Sequence, residues 1–181
     1  GKLAGKASLE QNLDELGISL SEEDQRKVLA KVIELGDSKQ TITIDDLPFI
    51  ITDVLESGDG ARVTLEDCTM TSPLNGKSEV KLTIQVDGTS HNATGLGNGA
   101  YDAFASAIDA ILSEHTDFSR PKLIDYEVHI PKGGQTNALT EASITWELAN
   151  KRKMTTRGVH SNQVFAAIQA TLKVINFELS V

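Results

Sequence analysis

Histidine, cysteine and carboxylate side chains carry most polar chemistry at neutral pH, and this chain scatters them. His91, His115, His129 and His160 form no H-x-x-x-H or H-E-x-x-H pair, the spacing that sets two imidazoles on one helix face around a metal. His129 falls on the polar side of a predicted strand, where solvation accounts for it. The single cysteine, Cys68, cannot form an internal disulfide or a thiolate zinc cage. Placed in a strand, it reads as a buried thiol rather than a nucleophile. No G-x-S-x-G elbow presents a serine. The paired carboxylates Glu22-Glu23 and Asp45-Asp46 fall at predicted helix starts, where capping and the helix dipole account for them. No catalytic constellation emerges.

Gly95-Leu96-Gly97-Asn98-Gly99 is the most informative stretch. It is not G-x-G-x-x-G and has no P-loop Lys-Ser/Thr, so it does not point to a nucleotide. Its pattern is a strand, a glycine turn and then a helix start. Glycines let a ligand approach the backbone, and the first helical N–H groups have no partner within the helix. Such a start can hold a carboxylate. Asp102, in the first turn, is either a good helix-start residue or an acceptor for an ammonium group. A matching helix start is expected at His160-Ser161-Asn162-Gln163. Two such starts facing each other across a pseudo-two-fold would bind the carboxylate of a small zwitterion. Tyr101 and Tyr126, the only tyrosines, lie beside these elements and read either as pocket walls or as ordinary packing.

Those residues need elements to position them. Residues 61–181 carry strand period followed by helical period, twice. Val63 and Leu65 alternate in a strand from Arg62 to Thr71. Val80, Leu82, Ile84 and Val86 alternate with polar residues, and Asp87-Gly88 signals a hairpin. A third strand runs to about Gly95, and Tyr101, Phe104, Ala105, Ile108, Ile111 and Leu112 then keep helical spacing. In the second round, Leu123 to Ile130 is a strand with Ile124, Tyr126, Val128 and Ile130 on one side. Pro131-Lys132-Gly133-Gly134 breaks it. Ala142 to Leu148 and Met154 to Val159 are strands, and a helix from about Ser161 turns Val164, Phe165, Ile168, Leu172 and Ile175 inward. Phe104-Ala105-Ser106-Ala107-Ile108 lines up with Val164-Phe165-Ala166-Ala167-Ile168, an offset of roughly 60 residues.

Before residue 58 the texture is helical. Ser8 with Gln11 reads as a capping box, Leu9, Leu13 and Leu16 as a stripe, and Gly17 as the stop. Ser21 opens a second helix carrying Val28, Leu29, Val32, Ile33 and Leu35, with Gly36 as its end. A third begins near Asp45-Asp46 and tolerates Pro48 in its first turn. Such short helices bury little alone and must lean on something larger. The expected fold class is therefore α+β. A helical subdomain at 1–57 precedes a pseudo-symmetric, dimeric domain at 58–181, with β-β-β-α units at about 61–115 and 121–177. Ser57-Gly58-Asp59-Gly60 is the expected linker.

Composition sets the outer bounds. The 181 residues hold 17 Lys+Arg against 26 Asp+Glu, a net charge of −9, which repels phosphate backbones and argues against nucleic-acid binding. Thirteen of the acids lie in residues 1–60, against six basic residues there. With 39% hydrophobic and 24% charged residues the chain suits a folded domain rather than disorder. No apolar run approaches the roughly 20 residues that span a bilayer. A cytoplasmic setting is expected, and Gly1 in place of Met suggests a piece of a longer protein.

Four stretches resemble one known family. Gly1-Lys2-Leu3-Ala4-Gly5-Lys6-Ala7, Leu13-Asp14-Glu15-Leu16-Gly17 and the helix from Ser21 to Leu35 resemble the region after the catalytic barrel of 2-isopropylmalate and citramalate synthases. Gly97-Asn98-Gly99-Ala100-Tyr101-Asp102-Ala103 resembles the G-[DN]-G-P-x-D-A motif of their C-terminal regulatory domain, with Ala100 where proline is usual. Leu3-Ala4 departs from the His-Ser pair of many members, and no linker residue is assigned to catalysis.

The resemblance implies a regulatory segment that binds an end-product amino acid, leucine or isoleucine, near a homodimer interface and acts on the barrel of the same chain. It implies no cofactor here; the divalent metal and acetyl-CoA belong to the barrel, for which this sequence has no room. Leucine is the expected effector. The Leu3-Ala4-Gly5 wording is nearer to citramalate synthases and raises isoleucine as the alternative; a dimerisation module without an effector is the third reading. By resemblance the pocket is Gly97, Asn98, Gly99, Tyr101 and Asp102, with Leu123, Tyr126 and Ile130 as apolar walls. Thr136, Thr140, Ser161 and Gln163 would add polar contacts. Inhibition would pass through the Ser57–Gly60 linker.

Overall fold

The computed structural model describes residues 5–37, 42–56, 61–130 and 139–180. The Gly1–Ala4 stretch, the Ser57–Gly60 linker, the Pro131–Gly134 break and Thr136 lie outside the described residues. In chain order the elements are α1 (Lys6–Leu16), α2 (Glu22–Asp37), a 3-10 turn (Ile44–Asp46), α3 (Leu47–Glu56), β1 (Val63–Thr71), β2 (Ser78–Val86) and β3 (Thr89–Gly97). There follow α4 (Ala100–His115), β4 (Lys122–His129), β5 (Thr140–Glu147), β6 (Lys153–His160) and α5 (Gln163–Ser180).

The strands form two antiparallel sheets, β1-β2-β3 and β4-β5-β6. Each sheet is followed by a helix that covers one of its faces: α4 packs on β2 and β3, and α5 on β5 and β6. The expected α+β class and β-β-β-α repeat are present. Alternation explains why only one face is covered. Val80, Leu82, Ile84 and Val86 are buried on one side of β2, and Ala142, Ile144 and Trp146 on one side of β5. Asp87 and Gly88 both have positive φ, 51° and 84°, the conformation a two-residue hairpin loop requires.

The repeat is set by glycine. In β3, a Cβ on Gly95 would lie 2.0 Å from the Ala103 carbonyl oxygen of α4. In β6, a Cβ on Gly158 would lie 1.9 Å from the Ala166 carbonyl oxygen of α5. Each helix therefore rests directly on the backbone of its third strand. Both pairs are 63 residues apart, so the helices correspond at 63 rather than 60, and Phe104 matches Ala167 instead of Val164. Both first strands carry a β-bulge, between Leu65 and Asp67 and between Leu123 and Asp125, 58 apart. Loop length between the strands accounts for the drift.

Helix α5 is buried on more sides than one amphipathic stripe explains. Ala166, Ala167, Ile168, Ala170, Val174, Ile175 and Phe177 are all buried, because α5 meets β1, β5, β6, α3 and α4. Its Asn176 amide satisfies the backbone of edge strand β1. Val63 N–H donates to Asn176 Oδ1 at 2.9 Å, and Asn176 Nδ2 donates to Val63 O at 2.9 Å and Leu172 O at 3.0 Å. Trp146 Nε1 donates to Thr156 Oγ1 at 2.8 Å, and Thr156 donates on to Ala170 O at 2.7 Å. A buried polar group is tolerated when it is paired in this way.

The helical lead-in leans on this body. α3 packs against α5, and Lys173 Nζ stands 3.2 Å from Asp53 Oδ1. Arg152, in the β5–β6 turn, donates to the Glu15 carbonyl near the end of α1. Three local expectations change. α1 opens at Gly5, whose carbonyl already accepts Leu9 N–H at 2.9 Å, so Ser8 lies inside the helix and caps nothing. α2 runs through Gly36 to Asp37. Thr43 and Asp46 form the capping box that leads into α3. Gly17 does end α1: its φ of 69° lets Ile18 N–H reach Leu13 O at 2.9 Å.

The glycine contacts make a direct prediction. Gly95→Ala and Gly158→Ala should each lower stability by about 3 kcal/mol, the upper range for overpacking a tight contact. Gly99→Ala, where nothing stands within 4 Å of the added Cβ, should stay within about 0.5 kcal/mol. Urea denaturation of the three variants measures the contrast.

Candidate functional site

The turn from β3 into α4 is shaped by two contacts. A Cβ on Gly97 would lie 2.5 Å from Ala103 N and 2.6 Å from Asp102 Oδ2, so the strand end is glycine for lack of room. Asn98 N–H donates to Asp102 Oδ2 at 2.9 Å. Asp102 is the third residue of α4, where its charge is favoured by the helix dipole. One carboxylate oxygen thus closes the turn. Gly99 is the N-cap and supplies no side-chain acceptor for the first helical amides. The start of α4 is a helix terminus with a carboxylate beside it and open space over Gly99.

The start of α5 differs. Asn162, 63 residues after Gly99, accepts Val164 N–H at 2.8 Å and Phe165 N–H at 3.2 Å through Oδ1. Its own N–H donates to His160 Nδ1 at 2.9 Å. The two starts expected to match are therefore unlike: one is capped by its own side chain and one is not. Nor does the start of α4 point at that of α5. Tyr101, the second residue of α4, meets Thr171, the ninth of α5.

Tyr101 is the centre of a contact between the repeats. Its ring lies 5.9 Å from that of Tyr126 on β4, tilted by 55°, and 6.0 Å from Phe104. Its hydroxyl stands 2.7 Å from Thr171 Oγ1. Thr171 donates its one proton to Ala167 O at 2.8 Å. Tyr101 is therefore the donor in the pair. Burial pushes both phenols, Tyr101 and Tyr126, above the usual tyrosine range, so both are neutral at physiological pH. Nearby, Arg120 grips Asp109 with two bonds, Nε–Oδ1 at 3.0 Å and Nη2–Oδ2 at 3.2 Å.

The bulge in β4 decides which of its residues share a side. Leu123 pairs with Trp146 and Tyr126 with Ile144, so both face the helix-covered side although they are three apart. Val128, opposite Ala142, continues that row. Ile124 falls in the bulge and is 40% exposed, which breaks the alternation expected for it. Ile130 follows the end of β4 and is 53% exposed. Thr140 is buried and pairs with His160. Ile130, Thr140 and Ser161 thus gather at one end of the second sheet, with exposed Gln163 opening α5 beyond them. The structure joins Tyr101 to Tyr126 by ring contact and Gly97 to Asp102 by packing. Thr171, Arg120 and Asp109, which sit beside these tyrosines, were not foreseen; they are ordinary helix and loop residues by type.

A groove of about 400 Å³ lies between β1 and the start of α5, lined by Leu65, His160, Phe165, Ile168, Gln169 and Leu172 among others. Helix α5 packs on β1 of the first unit, bonded there through Asn176, and Tyr101 of α4 meets Tyr126 on β4 of the second.

The model of the LeuA allosteric (dimerisation) domain matches residues 41–179. The chain belongs to this family. A putative (R)-citramalate synthase of Archaeoglobus fulgidus is 32% identical over 97% of this chain and 35% of its own length. The 2-isopropylmalate synthases of Methylorubrum populi and Prochlorococcus marinus are 28% and 30% identical over 97% of this chain and 32% of their own lengths. The chain spans about a third of the length of these relatives. Among the described residues no three His, Cys, Asp or Glu gather as a metal site. None of the described helices is long and apolar enough to cross a membrane.

Cys68, half-buried in β1, fits no nucleophilic role. Burial first, and the charge of Asp67 second, push its thiol up and suppress the thiolate. Iodoacetamide at pH 8 should label native Cys68 at least about tenfold more slowly than the denatured chain. Equal rates would place the thiol in open solvent.

Proposed function

We propose that this chain is the effector-sensing domain of a 2-isopropylmalate synthase, binding leucine at the start of α4 and dimerising with a second copy. The family match over residues 41–179 carries this reading. The chemistry of the site supports it. The open amides of the first α4 turn suit a carboxylate. Asp102 uses Oδ2 for Asn98 N–H, and its charge suits an ammonium group. Tyr126 offers apolar surface to a branched side chain, whose full burial is worth roughly 1.5–3 kcal/mol, and Leu123 and Ile130 extend that surface toward opposite ends of β4. Thr136, Thr140, Ser161 and Gln163 remain in the proposal as polar contacts. The full enzyme's acetyl-CoA-dependent condensation, its divalent metal and its inhibition by the amino acid belong to the same proposal.

The Archaeoglobus relative favours a second reading, a citramalate synthase domain that senses isoleucine. Leucine and isoleucine differ only in branching, so pocket shape decides between them. Calorimetric titration with each amino acid separates the two. Saturable binding of leucine, with isoleucine weaker, is the expected result; binding of neither leaves a dimerisation module. Asp102→Asn keeps an acceptor for Asn98 N–H and removes the charge. It should weaken binding at least about tenfold, the loss of one charge-assisted bond, with the melting temperature little changed. Unaltered affinity would take Asp102 out of the pocket.

A further inference from the structure

The Tyr101–Thr171 bond joins the proposed pocket to the helix of the other repeat. Tyr101 stands between Gly99, the open start of α4, and Asp102. Its ring lies 5.9 Å from that of Tyr126 and 6.0 Å from that of Phe104, and such ring contacts alone fix neither its tilt nor its reach. The hydroxyl does. Thr171 Oγ1 accepts from Tyr101 because its own proton is spent on Ala167 O. Thr171 is fully buried on α5, so its position is set by the core rather than by solvent.

We infer that Thr171 is a positioning residue for effector binding: by holding the Tyr101 hydroxyl it fixes the pocket wall without touching the ligand. This rests on the reading that leucine or isoleucine binds at the start of α4. The bond crosses from the first unit to the second, so the affinity of a site built on α4 depends on α5. Lys173, two residues beyond Thr171, is paired with Asp53 of α3 at 3.2 Å. The helix that aims Tyr101 is thereby tied to the helical lead-in as well.

The test measures leucine and isoleucine affinity by calorimetry for the native chain, Thr171→Val, Thr171→Ser, Tyr101→Phe and the Thr171→Val/Tyr101→Phe pair. Thr171→Val keeps shape and removes the hydroxyl; it should weaken binding by about five- to tenfold, the range for one neutral hydrogen bond. Thr171→Ser should return affinity to within about twofold of native. The double variant should bind no more than about twofold weaker than the weaker single, because both changes delete the Tyr101–Thr171 bond. A merely structural Thr171 would lower the melting temperature and leave affinity untouched, and that result overturns the inference. If Thr171→Val does not fold, Tyr101→Phe removes the same bond from the other end, and native affinity in that variant overturns it equally. A native chain that binds neither amino acid overturns the pocket reading and this inference together. A native chain that binds, with Thr171→Val and Tyr101→Phe binding equally well, overturns the inference alone.

Discussion

A helix carbonyl pressed against a strand glycine is the contact on which the rest of this structure depends. It occurs twice, at Gly95 under Ala103 and at Gly158 under Ala166. A methyl group in either place would push the helix off its sheet, because the obstacle is backbone and cannot rotate away. With the helix seated that low, the strand end at Gly97 must also be bare, and Asp102 comes within reach of Asn98 N–H. The same seating carries Tyr101 across to Tyr126 and Thr171. The site is therefore a consequence of helix–sheet packing.

Repetition builds the fold, and departures from it build the site. Both units have a bulged first strand, a glycine in the third and a helix on top. At the helix start they diverge. Gly99 leaves the first amides of α4 without a side-chain acceptor, whereas Asn162 fills that role for α5. The second helix is committed to the core instead, meeting β1, α3 and α4 as well as its own sheet. The first amides of α4 stay open, and α5 is held on several sides by the core.

Much of this was legible in the sequence, for physical reasons. Period-two runs such as Val80 to Val86 state which face is buried, and Asp87-Gly88 states where the chain turns. The β-β-β-α repeat followed from those signals. The bulges did not. Nothing in the type of Glu66 or Ile124 announces an extra residue, so the side chosen for Ile124 was wrong while Leu123 and Tyr126 share a side for a reason no alternation shows. Ser8 has good capping chemistry, but the ladder had already begun at Gly5. The roles of Gly95 and Gly97 in packing, and of Thr171, Arg120 and Asp109 beside the tyrosines, are tertiary. They depend on which surfaces meet, and a single chain of letters does not contain that. The glycine turn before α4, Asp102 and the two tyrosines stood out by residue type and position, whereas Leu123, Ile130, Thr136 and Thr140 rested on resemblance alone.

Amide hydrogen exchange across the chain, with and without saturating leucine or isoleucine, tests the central claim most directly. A ligand carboxylate held by the open start of α4 slows exchange at the amides of residues 99–102, while the amides of Val164 and Phe165, already bonded to Asn162, change little. Binding that leaves residues 99–102 exchanging as before, or that protects the start of α5 instead, would contradict the account and move the pocket elsewhere in the domain.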